Sequence, residues 1–253
     1  MGKTIAEQED FYNEFWKTRP REINLHEAYR LSSIISMMQD VKENFPGHTS
    51  LRICDVGCGT GWLANCLSVF GSVTGIDLSQ EAIEIARLRW PHINFYSNDI
   101  MTLVDRQEFD VIVCSEVIEH IENKNNFVEL VSRLLTDDGF IVLSCPNSDI
   151  QKYFGSDLPS QQPIELWPTR EELQALFLSN FVVMQHFTKM PIVPRSPAFM
   201  QKSHKYRYHW RIRIIQSHKV NKVIDRFGLR SQWIDRLSKS GYGLYQFILA
   251  KKR

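Results

Sequence analysis

The sequence predicts an α/β fold around a mostly parallel sheet. From residue 51 onward, runs of Val, Ile and Leu alternate with stretches of helical periodicity. Runs such as FDVIVC and FIVLSC are almost continuously apolar, as strands buried on both faces are. The first strand-like run ends among three glycines and passes straight into a helix-like segment, placing a tight turn at the carboxyl end of a strand. With 253 residues, 43% of them hydrophobic, the chain is long enough to bury a core without covalent staples.

Residues 1–48 read as two helices. Ile5 to Trp16 carries aromatic residues at positions 11, 12, 15 and 16, and Pro20 separates it from a helix over Glu27 to Phe45. That second helix has Leu31, Ile34, Ile35, Met38 and Val41 at spacings of three and four. Leu51–Val56, Ser72–Ile76, Ile93–Ser97 and Phe109–Cys114 follow as strands. Helices intervene over Gly61–Phe70 and from a Ser79 cap through Trp90. Asn123–Leu135 reads as a helix closed by Asp137-Asp138-Gly139, and Phe140–Ser144 as a strand stopped by Pro146. Four prolines make 146–168 a loop, and Thr169 with Glu172 forms a capping box opening a helix to about Ser179. Phe181–Phe187 and Gly243–Ala250 are the last strands.

The organisation expected is a helical lid over 1–48, a core over 49–188 and 241–253, and a basic helical insertion over 189–240. The formal net charge of +1 hides an asymmetry: residues 189–253 hold 16 of the 30 Lys and Arg but 2 of the 29 Asp and Glu. The insertion reads as two helices with one apolar face each and a cationic outer face. A cap packed on the acidic body is the favoured reading. A lid over an anionic small molecule and a nucleic-acid or anionic-membrane surface stay open.

Apolar runs fall short of the roughly 18 residues that a membrane span needs. The acidic start lacks a signal-peptide pattern, and Ala6 stands where a myristoylation signal wants Ser or Thr. Cys54, Cys58, Cys66, Cys114 and Cys145 are odd in number and form no CxxC, so they read as small hydrophobes of a reduced, cytoplasmic protein.

The most informative run is ICDVGCGTGW, from Ile53 to Trp62. Gly57, Gly59 and Gly61 let a ligand approach backbone N–H groups at a helix start. Asp55, just before them, would repel a pyrophosphate and attract an ammonium or sulfonium. Asp77 ends the next strand, where a carboxylate can accept from ribose hydroxyls. Asn98, Asp99 and Ile100 follow the third strand, where a carboxylate can accept from an adenine amino group. Together these call for an adenosine with a cationic amino-acid end and no phosphate, which describes S-adenosylmethionine.

DVGCGTG, GIDLS, the Asn98-Asp99 pair, FDVIVCSEVIEHI and LLTDDGFIVLSCPN together resemble the class I S-adenosylmethionine-dependent methyltransferases, and the ubiquinone-biosynthesis O-methyltransferase-like group within them. The similarity is close over 51–147 and looser over 169–187 and 243–250. It implies a Rossmann-like seven-stranded sheet of order 3-2-1-4-5-7-6 with an antiparallel last strand. It also implies that Asp55, Gly57, Gly59 and Gly61 hold the methionine side of the cofactor, Asp77 and Leu78 the ribose, and Asp99 and Ile100 the adenine. Ser115 and Glu116 would line the methyl-donor crevice.

His120, beyond the fourth strand, is the candidate general base, with Glu116 beside it. The ExxEH pattern also resembles metal-binding motifs in which Glu116, Glu119 and His120 would ligate a divalent cation. A downstream histidine found in some relatives is missing before Trp167-Pro-Thr-Arg170, so Glu165 or His186 would have to stand in. A metal is therefore not favoured. The reading is O-methylation of a small organic molecule at a hydroxyl or carboxyl. N-methylation of a small amine, RNA 2′-O-methylation and a cofactor-binding regulatory subunit remain alternatives.

Overall fold

The computed structural model describes residues 4–18, 25–45, 49–103, 108–149, 162–191 and 243–253. The sheet comprises β1 (Leu51–Val56), β2 (Gly71–Asp77), β3 (Asn94–Ser97), β4 (Phe109–Ser115), β5 (Leu135–Pro146), β6 (Phe181–Pro191) and β7 (Gly243–Lys252). Their spatial order is β3-β2-β1-β4-β5-β7-β6. Neighbours from β3 to β5 run parallel, and β7 is antiparallel to both β5 and β6. Both the α/β class and the strand order agree with the expectation.

Helices α1 (Ile5–Thr18), α2 (Leu25–Glu43), α3 (Trp62–Leu67), α4 (Gln80–Arg89), α5 (Lys124–Leu134) and α6 (Arg170–Phe177) complete the described elements, with 3₁₀ turns at Ile100–Thr102 and Ile118–His120. Strand residues alternate between two cores because successive side chains point to opposite faces. Ile53, Val111, Val113, Phe140 and Val142 join α2, α3 and α4 in one core. Cys54, Ile112, Cys114, Ile141 and Leu143 join α5 and α6 in the other. Four of the five cysteines are buried and all five are free thiols.

The caps form as the sequence predicts. Ser79 Oγ accepts from Ala82 N–H at 3.2 Å. Thr169 Oγ1 accepts from Glu172 N–H at 3.1 Å while Glu172 Oε2 accepts from Thr169 N–H at 2.8 Å. The helix before β5 differs: α5 ends at Leu134 and β5 starts at once, rather than after Gly139. Leu135 pairs with Phe109 and Phe140 with Val111, so the residues between bulge out. The exposed Asp138 there meets Lys251 of β7 at 2.8 Å. Along α2 it is Met37, not Ile35, that is fully buried beside Ile34, Met38 and Val41.

No described helix is long and apolar enough to cross a membrane. The basic insertion expected over 189–240 lies, from residue 192 on, outside the described residues.

Candidate active site

The strand order reverses at β1 and β4, and the carboxyl ends there open a crevice. One cavity of about 690 Å³ occupies it. Asp55, Gly57, Gly59, Asp77, Leu78, Asp99, Ile100, Ser115, Glu116, Glu119 and His120 all line it. Gly61 stands behind the wall as the N-cap of α3, with a φ of 77° and with Phe95 and Trp90 against it.

The glycine turn is anchored to β2. Gly57 N–H and Cys58 N–H both donate to Ile76 O, at 2.8 and 3.1 Å. Gly57 and Gly59 have φ of 67° and 51°, a region that L side chains disfavour. Space forbids a side chain as well: a Cβ on Gly57 would collide with Val117, and one on Gly59 would lie 2.6 Å from Trp16 Cζ2. Asp77 clamps the turn, its Oδ2 accepting from Gly59 N–H at 2.8 Å and its Oδ1 from Ser79 N–H at 2.9 Å. Burial raises its carboxyl above the ordinary range, and the two N–H groups oppose that. Asp99 Oδ1 accepts from Met101 N–H at 2.9 Å, capping the 3₁₀ turn beyond β3.

Asp55 is 1% exposed, and its Oδ2 is buried without a hydrogen-bond partner. Burial, then the charge of Asp77, pushes its carboxyl up to about 8, partly offset by Ala64 N–H. An orphaned carboxyl oxygen on a residue of the cavity wall fits a cationic, phosphate-free ligand. The residues present therefore fit S-adenosylmethionine.

Beyond β4 the backbone of Glu116 adopts a φ of 59°, rare outside glycine. Its Oε1 accepts from Ser144 Oγ at 3.2 Å and its Oε2 lies 3.6 Å from Arg30 Nη1. Burial raises its carboxyl, with Arg30 and Ser144 opposing. Glu119 is buried, and burial followed by the Glu116 charge pushes its carboxyl well up. His120 Nδ1 lies 2.7 Å from Ile164 O. A carbonyl can only accept, so Nδ1 carries the hydrogen and Nε2 of the neutral ring is left with its lone pair. Burial holds the imidazole below its ordinary pKa.

Among the described residues no group of three or more His, Cys, Asp and Glu is placed to hold a metal ion. Glu119 Oε1 lies 3.7 Å from His120 Nε2, but Glu116 turns instead to Ser144 and Arg30, so the three ExxEH residues do not form one ligand set. Glu165 lines the cavity, with its Oε1 accepting from Trp167 Nε1 at 2.7 Å. His186 is not in the wall: its Nε2 sits 3.3 Å from Gln246 Oε1, and burial followed by Arg170 lowers its pKa to about 4. The donor set does not fit a divalent cation.

Helix α1 lies across the cavity, with Tyr12, Phe15 and Trp16 in its wall. Tyr12 Oη donates to Gln162 Oε1 at 3.0 Å, and its ring centre lies 6.2 Å from that of His120. Asn13 Oδ1 accepts from Ser79 Oγ at 2.7 Å and from Glu81 N–H at 3.2 Å. Sequence reasoning passed over Asn13, Arg30, Gln162 and Tyr245. Only Arg30 carried a readable signal: it is a cation on the helix face that also presents Ile34, Met37, Met38 and Val41.

Residues 15–191 match the family described as methyltransferase domain. Among curated relatives, the ubiquinone biosynthesis O-methyltransferase of Glaesserella parasuis serovar 5 (strain SH0165) is 28% identical over 128 residues, 46% of this chain and 54% of that protein. The protein of the same name from Vibrio atlanticus (strain LGP32) is 26% identical over 171 residues, 65% of this chain and 70% of that one. The chain thus spans about half the length of the first and more of the second. Among solved structures, magnesium protoporphyrin IX methyltransferase from Synechocystis PCC 6803 with bound SAH superposes with a TM-score of 0.60 at 14% identity, over 98% of this chain and 99% of that one.

Proposed function

The chain belongs to the methyltransferase-domain family, and from that membership we propose that it methylates a hydroxyl oxygen of a small organic molecule, with S-adenosylmethionine as donor and His120 as general base. When bound, the donor supplies a methyl group already activated by its cationic sulfur. Asp55 would face that charge; Gly57 and Gly59 would form the turn beside the methionine end; Asp77, Leu78, Asp99 and Ile100 would hold the nucleoside; Ser115 lines the crevice.

One observation carries the choice of a hydroxyl. His120 is a half-buried imidazole in the cavity wall whose Nδ1–H is committed to Ile164 O, so its Nε2 is the atom able to take a proton. A carboxylate acceptor has no proton to lose and would give that arrangement no role. The curated relatives named as O-methyltransferases support the same reading.

The test is methyl transfer from labelled donor to a panel of phenols and aliphatic alcohols, read as thioether product. Acceptor-dependent release that falls in the His120→Gln variant is the expected result. Transfer to amines alone, or donor binding in calorimetry without any transfer, would defeat the proposal.

A further inference from the structure

Arg30 is the one Lys or Arg among the described residues lining the cavity. It enters from α2 beside Glu116, and its side chain is 12% exposed. The guanidinium rests over the Tyr245 ring, 5.2 Å from its centre, and Tyr245 Oη is in turn 3.0 Å from His26 Nδ1. This stack fixes the plane of the guanidinium between α2 and β7.

Arg30 is only partly satisfied: Tyr245 is a side-chain hydrogen-bond partner, and Glu116 and Glu27 attract it. The Glu116 carboxylate lies 3.6 Å from Nη1, an ion pair beyond hydrogen-bond reach. The Nε of Arg30 is buried without a partner. Nε belongs to the opposite edge of the guanidinium from Nη1, the edge that grips a carboxylate side-on. The wall holds further acids. Asp55 and Asp77 stand at the carboxyl ends of β1 and β2, and Asp99 just beyond β3. Burial pushes the Glu119 carboxyl well up, Glu165 is hydrogen-bonded to Trp167, and Glu122 also lines the wall. Glu27, one turn before Arg30, adds negative charge to its field without meeting Nε.

Resting on the methyltransferase reading above, we propose that Arg30 is the specificity-determining residue of the acceptor subsite and that the acceptor is a hydroxyl compound bearing a carboxylate. The carboxylate takes the Nε edge of Arg30 while the reacting hydroxyl lies toward His120 in the same cavity. No covalent step is added: one charge-assisted contact orients the acceptor.

Three catechols that differ in one group test this: 3,4-dihydroxyphenylacetate, its amide, and dopamine. Wild-type protein should favour the carboxylate over the amide by roughly 10-fold or more in kcat/KM, the ratio a charge-assisted hydrogen bond sustains. Arg30→Gln should abolish the preference, with the loss greater in KM than in kcat, and Arg30→Lys should keep part of it. A thermal melt of each variant separates this from misfolding. Binding of the same three compounds to protein loaded with S-adenosylhomocysteine separates the two proposals. A charge preference in binding without turnover upholds this inference and sinks hydroxyl methylation. Turnover without charge preference does the reverse. Equal use of the amide, preference for dopamine, a carboxylate preference that survives Arg30→Gln, or binding of none of the three would overturn the inference.

Discussion

The imidazole of His120 is tied to the backbone of Ile164, whose carbonyl oxygen lies 2.7 Å from Nδ1. This bond spans from the 3₁₀ turn after β4 to the loop before α6, and it decides which nitrogen is the base. Burial lowers the imidazole pKa, so the neutral ring prevails at pH 7. Single-turnover rates on a hydroxyl acceptor should climb through an inflection below the ordinary imidazole pKa of 6.5 and stay level through neutrality. His120→Gln should cut the rate by about 10²–10⁴-fold and remove that inflection. An inflection that survives the substitution would assign the titration elsewhere.

Asp77 should matter for both donor affinity and the shape of the turn. Asp77→Ala removes the acceptor of two backbone N–H groups, at Gly59 and Ser79. Calorimetry with S-adenosylhomocysteine should show affinity reduced by about 100-fold or more, since hydrogen bonds to a charged group each contribute about 1.5–3 kcal/mol. Unchanged affinity would exclude Asp77 from the donor site.

Asp55 sets function against stability. Its folded-state pKa of about 8 lies above the 3.8 of a free aspartate. A raised folded pKa means that its stabilising contribution is complete below about pH 3.8 and lost as pH rises through 8. Asp55→Asn should therefore raise the Tm of the ligand-free protein most at pH 8–9, by about 2–4 °C per kcal/mol relieved, and weaken donor binding. Wild-type protein at pH 7 should release a proton when the donor binds, visible as a binding heat that varies with buffer ionisation enthalpy. An equal Tm change at pH 5 and pH 9 would contradict this account.

The glycine turn predicts a sharp contrast. Gly57→Ala puts a methyl group into Val117 at a φ of 67°. The backbone alone costs about 1–2 kcal/mol, so the Tm should fall and donor binding be lost together. Gly61→Ala, whose residue stands behind the wall, should lower the Tm while any residual folded protein binds donor more nearly normally. Identical binding losses in the two would blur the distinction between wall and turn.

Much of the cavity wall at the ends of β1, β2 and β3 was legible because it is local. Asp55 to Gly61 is one strand and one turn, and Asp77 and Asp99 each end the next strand in line. A few residue types in short spacing therefore define the geometry. The rest of the wall was hard to read because it is assembled from distant parts: Arg30 from α2, Gln162 from the loop before α6 and Tyr245 from β7 share one cavity only through tertiary packing. The early start of β5 escaped for another reason. Asp137, Asp138 and Gly139 have turn composition, yet Leu135 is fully buried and pairs with Phe109, and that pairing overrides local preference. The ExxEH motif shows the converse risk: its spacing suits metal ligands, while the left-handed backbone at Glu116 sends its carboxylate to Ser144 and Arg30.

Trp16 rests on Gly59, and Asn13 is hydrogen-bonded to Ser79 and Glu81 at the start of α4. Anything seated on the glycine turn thus lies underneath α1, sharing a surface with that aromatic ring. If the donor occupies the turn as proposed, its exchange would have to disturb the contact of Trp16 with Gly59. The tempo of successive cycles would then be set by undocking of α1, and loosening Asn13 should quicken exchange while leaving the chemical step alone.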